Sequence, residues 1–237
     1  FYIPKPVIHI EPKADQEQGN SRKKKLFKNL KYILQENLEI FFKGDFEEEH
    51  MGSLKELGSY AMKTAVAVRG KEEPEPYRVS TFCFKDGNGL YLILAYESKE
   101  DKEFFEELLE SLSYTGIGGK RSAGFGRFKA VEGKMPESLR KKLTDTGKMN
   151  ILLSTALPQK QQLEKVLEEA TYTLIRRGGF IDSQNLKDGP KRKKDIYVFA
   201  PGSCFKTTFS GQVEEEETGG EHSVFRYEKA LFLGVNL

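Results

Sequence analysis

The chain has 237 residues, of which 38% are hydrophobic and 31% charged, with a formal net charge of +2. That length suffices for one large or two small domains with real cores. No apolar stretch approaches the roughly 20 residues needed to cross a bilayer, no secretory leader is legible, and so small a net charge does not by itself imply a nucleic-acid ligand.

Two cysteines, Cys83 and Cys204, lie far apart without a Cys-x-x-Cys pair. This usage fits a reducing compartment and offers no zinc site, so the expectation is a cytoplasmic protein without metal or cofactor. The chain opens at Phe1 in a proline-punctuated segment (Phe1-Tyr-Ile-Pro-Lys-Pro), which predicts a natural segment before it. Charge is distributed in runs: basic at Arg22–Lys25, Lys120–Arg121 and Lys191–Lys194, acidic at Glu47–Glu49 and Glu214–Glu217.

Glu11 to Lys25 is polar without apolar periodicity and is expected to be a mobile loop. Leu26 to Phe46 places Leu30, Ile33, Leu34, Leu38, Phe41 and Phe42 at near-helical spacing, predicting one or two short helices. Lys63–Arg69 alternates around Ala65 and Val66, and Gly70–Pro76 is a polar excursion. Tyr77–Phe84 and Leu90–Tyr96 then predict a hairpin about the turn Asp86-Gly-Asn-Gly. Ser98-Lys-Glu-Asp101 is a capping box for a helix with Phe104, Phe105, Leu108, Leu109 and Leu112 on one face. A glycine-rich loop follows, and Gly126–Val131 is expected to resume as a strand.

A second unit begins near Met149, with a strand at Met149–Leu157 and a helix from Gln161 to Arg177 stopped by Gly178-Gly179. Strands are expected at Asp195–Ala200, Cys204–Gly211 and Phe225–Val235, with the acidic Glu214–Gly220 as a solvated hairpin tip. The order predicts an α+β chain of two ferredoxin-like (RRM-like) domains with antiparallel sheets, residues 1–146 and 147–237. The first of these lacks its opening strand and helix.

The loop from Tyr114 to Phe128 reads Y-T-G-I-G-G-K-R-S-A-G-F-G-R-F. Glycine admits positive φ and close backbone approach, so Gly116, Gly118, Gly119, Gly124 and Gly126 can present bare N–H groups to an anion. Lys120, Arg121 and Arg127 add charge, and Phe125 offers a ring to a splayed base or an anchor for the loop. A Walker A loop would need Ser or Thr after Gly119-Lys120, where Arg121 stands. A dinucleotide fingerprint would need glycine at Arg121, so both nucleotide motifs fail. The histidines His9, His50 and His222 lack partners at metal spacing, the carboxylates lie in solvated runs, and no G-x-S-x-G elbow occurs. No active site is legible.

G-I-G-G-K-R-S-A-G-F-G-R-F resembles the glycine-rich loop of the RAMP superfamily, the RRM-like proteins of CRISPR effector complexes. Phe1-Tyr-Ile-Pro-Lys-Pro, Leu30-Lys-Tyr-Ile-Leu, Phe199-Ala-Pro-Gly-Ser-Cys-Phe-Lys and Tyr227-Glu-Lys-Ala-Leu-Phe-Leu-Gly-Val narrow the likeness. Together they resemble the family of the fourth subunit of type III-A Csm complexes, over nearly the whole chain. That resemblance implies a non-catalytic protein in antiviral defence that caps the 5′ handle of crRNA and docks the large Palm-domain subunit beside a backbone RAMP subunit. It places a β-hairpin thumb near target RNA. The loop from Gly116 to Arg127 would line the handle, and the thumb would correspond to the excursion from Arg69 to Arg78, which is acidic in its middle. Two alternatives stand beside it: a RAMP endoribonuclease processing crRNA precursors, and a generic module binding single-stranded RNA alone.

Overall fold

The computed structural model describes residues 1–8, 10, 27–52, 56–67, 75–181, 192–216 and 223–236. The Arg22–Lys25 run, His9, His222 and the part of the thumb assignment before Glu75 lie outside them. The fold is a mixture of short helices and antiparallel strands, and it forms two compact units, Phe1–Gly52 with Met135–Leu237 and, separately, Ser53–Lys134.

In the larger unit, β1 (Tyr2–Pro4) pairs with β2 (Tyr32–Leu34), with Ile3 opposite Ile33. The run expected to hold one or two short helices from Leu26 is helical at Phe27–Asn29 and in α1 (Leu38–Phe42), with strand β2 between them. Tyr32 and Ile33, aromatic and β-branched, take an available strand partner over helix propensity. Strand β5 (Met149–Leu152) is central, flanked by β8 (Cys204–Phe205) and β11 (Phe232–Val235). Successive side chains of a strand point to opposite faces, and here both faces are covered. Ile151 joins Ile3, Ile33, Leu38, Phe41, Leu139 and Leu233 on one side. Leu152 joins Ala156, Val166, Phe199, Phe205 and Phe209 on the other. Leu139 comes from helix α3 (Glu137–Thr144) and Val166 from helix α4 (Leu163–Leu167).

Asn150 is the polar residue in this strand, and it is 1% exposed. Its Nδ2 donates to the carbonyls of Gly147, Phe205 and Lys206 at 3.3, 3.3 and 3.1 Å, and its Oδ1 accepts from Gly147 N–H at 3.1 Å. Cys204 is also buried here, and burial pushes its thiol up to about 12.

The helix expected from Gln161 to Arg177 ends at Leu167. Glu169 takes a left-handed φ of 52°, after which β6 (Leu174–Arg177) pairs with β7 (Ile196–Phe199). The Thr171–Thr173 and Ile175 positions suit a pleated surface, and β7 supplies the partner that overrides helical periodicity. The single strand expected over Phe225–Val235 is likewise two, β10 (Val224–Lys229) and β11. The Ser154 hydroxyl sits at the break, donating to Lys229 O at 2.9 Å and accepting from Leu231 N–H at 3.0 Å. The strand expected over Cys204–Gly211 stops at Phe205, and β9 (Gly211–Glu216) pairs with β10 instead.

The inner face of β10 carries a buried arginine. Arg226 makes two bonds to Glu216 Oε2, from Nε at 2.9 Å and Nη2 at 2.8 Å, and donates to Arg177 O at 3.2 Å and to Lys194 O. Burial pushes the Glu216 carboxyl up, but the bond from Lys194 N–H and the Arg226 guanidinium outweigh it and hold the group below the usual carboxylate range.

In the smaller unit, β3 (Gly58–Ala67) and β4 (Glu75–Phe84) form a long hairpin with Lys63 opposite Val79 and Ala65 opposite Tyr77. The partner of Tyr77–Phe84 is thus β3, and Leu90–Tyr96 forms no strand. Asn88 Nδ2 donates to Glu56 O at 3.1 Å, and Lys85 N–H to Leu57 O at 2.9 Å, which ties the turn to the foot of β3 and leads the chain off β4. Helix α2 (Lys99–Thr115) begins at the expected capping box: Ser98 Oγ accepts from Asp101 N–H at 3.1 Å, and Asp101 Oδ2 accepts from Ser98 N–H at 3.1 Å. Its apolar row is only partly covered: Phe105 and Leu109 are half-buried, while Phe104 is 63% and Leu108 52% exposed. Gly126–Val131 forms no strand.

Two outcomes follow from these contacts. Asn150→Ala leaves the Phe205 and Lys206 carbonyls without their donor and costs about 1–3 kcal/mol in denaturant unfolding. Because the Glu216 carboxyl is depressed in the folded state, its stabilisation is present above its unfolded value and is lost as pH falls through the folded one. Unfolding midpoints measured from neutral pH down through the carboxylate range therefore fall more steeply for the unaltered chain than for Glu216→Gln.

Candidate nucleic-acid interface

The glycine-rich loop is built from the end of α2 outward. Gly116 terminates the helix at φ 84°, its N–H donating to Leu112 O at 2.7 Å. Ile117 N–H then donates to Gly126 O at 3.0 Å, and Phe128 N–H to Ser113 O at 3.3 Å, so the outgoing chain is pinned across the incoming one. Glycine is required at this crossing: Gly126 has φ 79°, and a Cβ there would strike the backbone of Ile117. A Cβ on Gly116 would stand 2.8 Å from Phe125 O.

Beyond the neck, Arg121–Ala123 forms a single 3-10 turn closed by Gly124 in the left-handed region at φ 83°. Gly124 N–H donates to Arg121 O at 2.9 Å and Phe125 N–H to Lys120 O at 3.3 Å. The Gly124 amide, expected to face an anion, is thus spent within the loop. Gly118 and Gly119 at the tip differ: among the described residues neither N–H has an acceptor, and a Cβ at either would meet open space. Gly118 holds φ 100°.

The cations are organised by the hairpin. Lys120 Nζ lies 4.7 Å from the centre of the Tyr77 ring and 3.3 Å from its hydroxyl. Lys63 Nζ lies 5.2 Å from the centre of the half-buried Phe125 ring. The hairpin register puts Lys63 and Tyr77 on one face, beside the half-buried Ala61, Ala65, Val79 and Thr81. Arg121 and Arg127 are exposed on the loop. The structure therefore gathers Gly116, Gly126 and Phe125 at the neck and Gly118, Gly119 and Lys120 at the tip. Sequence reasoning placed Tyr77 in the thumb and gave Lys63 no role, and it brought neither to the loop. Their signal is the shared parity set by the register, which a sequence does not reveal when the intervening excursion has no fixed length.

His50, the described histidine, is engaged in a turn: its Nδ1 accepts from Glu47 N–H at 2.9 Å and its ring lies 5.7 Å from Phe46. Among the described residues no group of His, Cys, Asp and Glu is placed to hold a metal ion, and no helix is long and apolar enough to cross a membrane.

Comparison with known proteins places this geometry. Residues 1–129 match the RAMP superfamily, and residues 145–235 match the CRISPR Csm4 C-terminal domain. A Mycobacterium tuberculosis protein described as CRISPR system Cms protein Csm4 is 34% identical over 237 residues, covering 99% of this chain and 75% of its own length. One of the same description from Streptococcus thermophilus is 34% identical over 246 residues, covering 100% and 77%. Among solved structures, a chain of the Csm3-Csm4 subcomplex of the type III-A CRISPR-Cas interference complex superposes with a TM-score of 0.54 at 21% identity, covering 100% of this chain and 79% of that one. A chain of a Csm1-Csm4 cassette in complex with cA4 gives 0.52 at 18% identity, covering 100% and 74%.

Gly126→Ala is expected to open the neck, since a left-handed φ costs a residue with a Cβ about 1–2 kcal/mol before any clash. Amide exchange at Ile117 and Phe128 should accelerate while the Ser98-capped start of α2 keeps its protection. Unchanged exchange at Ile117 would show that the crossing does not depend on glycine.

Proposed function

The chain belongs to the Csm4 family of the RAMP superfamily, and on that premise we propose that it is a non-catalytic, RNA-binding subunit of a type III-A CRISPR effector complex. It caps the 5′ handle of crRNA with the Gly116–Arg127 loop and docks the large Palm-domain subunit and the backbone RAMP subunit. The β3–β4 hairpin serves as the thumb near target RNA.

The observation that carries this reading is the loop tip. Gly118 and Gly119 offer N–H groups without acceptors among the described residues, and Lys120 stands beside them over the Tyr77 ring. Backbone donors and a lysine suit a phosphate, while an aromatic ring within the same few ångströms suits a base. The structures of relatives titled as Csm3-Csm4 and Csm1-Csm4 assemblies support the choice of protein partners.

Lys120→Ala combined with Arg121→Ala should weaken binding of a repeat-derived single-stranded RNA by on the order of tenfold. The slope of log affinity against log salt should flatten by roughly 0.7 for each phosphate that is no longer neutralised. Binding and slope both unchanged would reject the loop as the grip. Metal-free incubation of the protein with repeat RNA should leave the RNA intact, and site-specific cleavage would replace this reading with the endoribonuclease.

A further inference from the structure

The larger unit carries a second surface with the chemistry of an RNA contact, built from residues not assigned above. On β6, Arg176 stands opposite Tyr197 of β7, and Leu174 stands opposite Phe199. On this face Phe199 is buried in the core, and the members around it are exposed: Tyr197 is 62%, Leu174 48% and Tyr172 41% exposed. Tyr172 continues that face, its ring meeting Phe199 edge-on at 5.0 Å. The opposite face is different in kind, with Val198 buried and Arg177 3.8 Å from the buried Glu228.

Two guanidiniums are aimed along the open face by one carboxylate. Asp195 Oδ2 lies 3.1 Å from Arg192 Nη2 and 3.8 Å from Arg176 Nη1. A glycine makes room for it, because a Cβ on Gly178 would strike Asp195 Oδ1. Lys193 and Lys194 follow Arg192 directly, so the approach to β7 is strongly basic. The frame behind it is fixed by the buried Arg226, which donates to Arg177 O and Lys194 O at one end of the pair of strands.

Exposed rings interleaved with arginines on an open sheet face are what unstacked bases and a phosphodiester backbone require. Tyrosine and arginine also recur at protein interfaces, but lysines are depleted there, so the Arg192-Lys193-Lys194 run leading onto this face favours a polyanion. We infer that the β6–β7 face is a second contact for single-stranded RNA, with bases stacking on Tyr197 and Tyr172 and phosphates paired to Arg176 and Arg192. Asp195 is a positioning residue that orients both guanidiniums. This rests on the proposed RNA-binding function and adds a contact in the other compact unit.

The test is photo-crosslinking of the full protein to a single-stranded RNA bearing 4-thiouridine, with peptide mapping and affinity measured on the same RNA. Crosslinks are expected both in the glycine-rich loop and in the peptide containing Tyr197. Tyr197→Ala with Arg176→Ala should weaken binding about tenfold and remove the second crosslink while the loop crosslink and the unfolding midpoint stay. Tyr197→Phe should bind as the unaltered chain does, since stacking needs the ring and not the hydroxyl. Crosslinks confined to the loop, with unchanged affinity in the double variant, would overturn this inference and leave the loop assignment standing. Crosslinks at neither surface would overturn the RNA-binding function and this inference with it. A double variant that binds RNA normally but loses co-purification with another subunit would assign the face to a protein and overturn the inference too.

Discussion

The buried Arg226 guanidinium is the constraint around which the C-terminal strands are arranged. An arginine whose side chain is 8% exposed must have its donors answered, because an uncompensated buried charge costs several kcal/mol. Glu216 answers two of them, and carbonyls at Arg177 and Lys194 extend the set. Those acceptors belong to β9, to the end of β6 and to the approach to β7, so one side chain fixes three segments at once. Removing its positive charge would strand Glu216 as well, and the register of β6 on β7 would lose its tether.

Much of this was legible in the sequence where a local signal decides the structure. The capping box at Ser98–Asp101 is set by hydrogen bonds within a few residues and stands as expected, as does the glycine-rich loop directly after the helix, which ends at Gly116. Pairing is another matter. Tyr77–Phe84 was recognisable as a strand, but its partner is Gly58–Ala67 and not the nearer Leu90–Tyr96. Asn88 decides this through its bonds to Glu56 and Leu57, which span 32 and 31 positions along the chain. Likewise the helical periodicity through Leu174 was real, yet β7 offered Leu174–Arg177 a ladder, and non-local pairing overrode it. The place of Lys63 and Tyr77 beside the loop escaped notice for the same reason, since it follows from register.

The loop illustrates how glycine serves two purposes in one segment. At Gly116 and Gly126 it permits two backbones to cross with no room for a Cβ, a purely steric demand. At Gly118 and Gly119 no atom crowds the chain; Gly118 still needs glycine for its φ of 100°, and only at Gly119 do sterics leave the residue type unexplained. What glycine supplies at the tip is access: an amide unshielded by a side chain, flanked by Lys120. On the proposed function, a neck pinned by these hydrogen bonds lowers the conformational entropy that bare donors lose on holding an anion.

The positions of the lysines also bear on how such a tip would exchange partners. An exposed cation–π contact is worth about 0.5–1 kcal/mol, so Lys120 is held over Tyr77 only lightly. A charge-assisted hydrogen bond to phosphate contributes roughly 1.5–3 kcal/mol. On the proposed function, an arriving phosphate therefore draws Lys120 from the ring, and the vacated Tyr77 face becomes available to a base. Lys63 and Phe125 form the matching pair on the other side of the loop, but Phe125 is half-buried at the neck and gives up its anchoring role if it turns outward. The asymmetry assigns stacking to Tyr77 and support to Phe125, a division that neither ring's place in the sequence reveals.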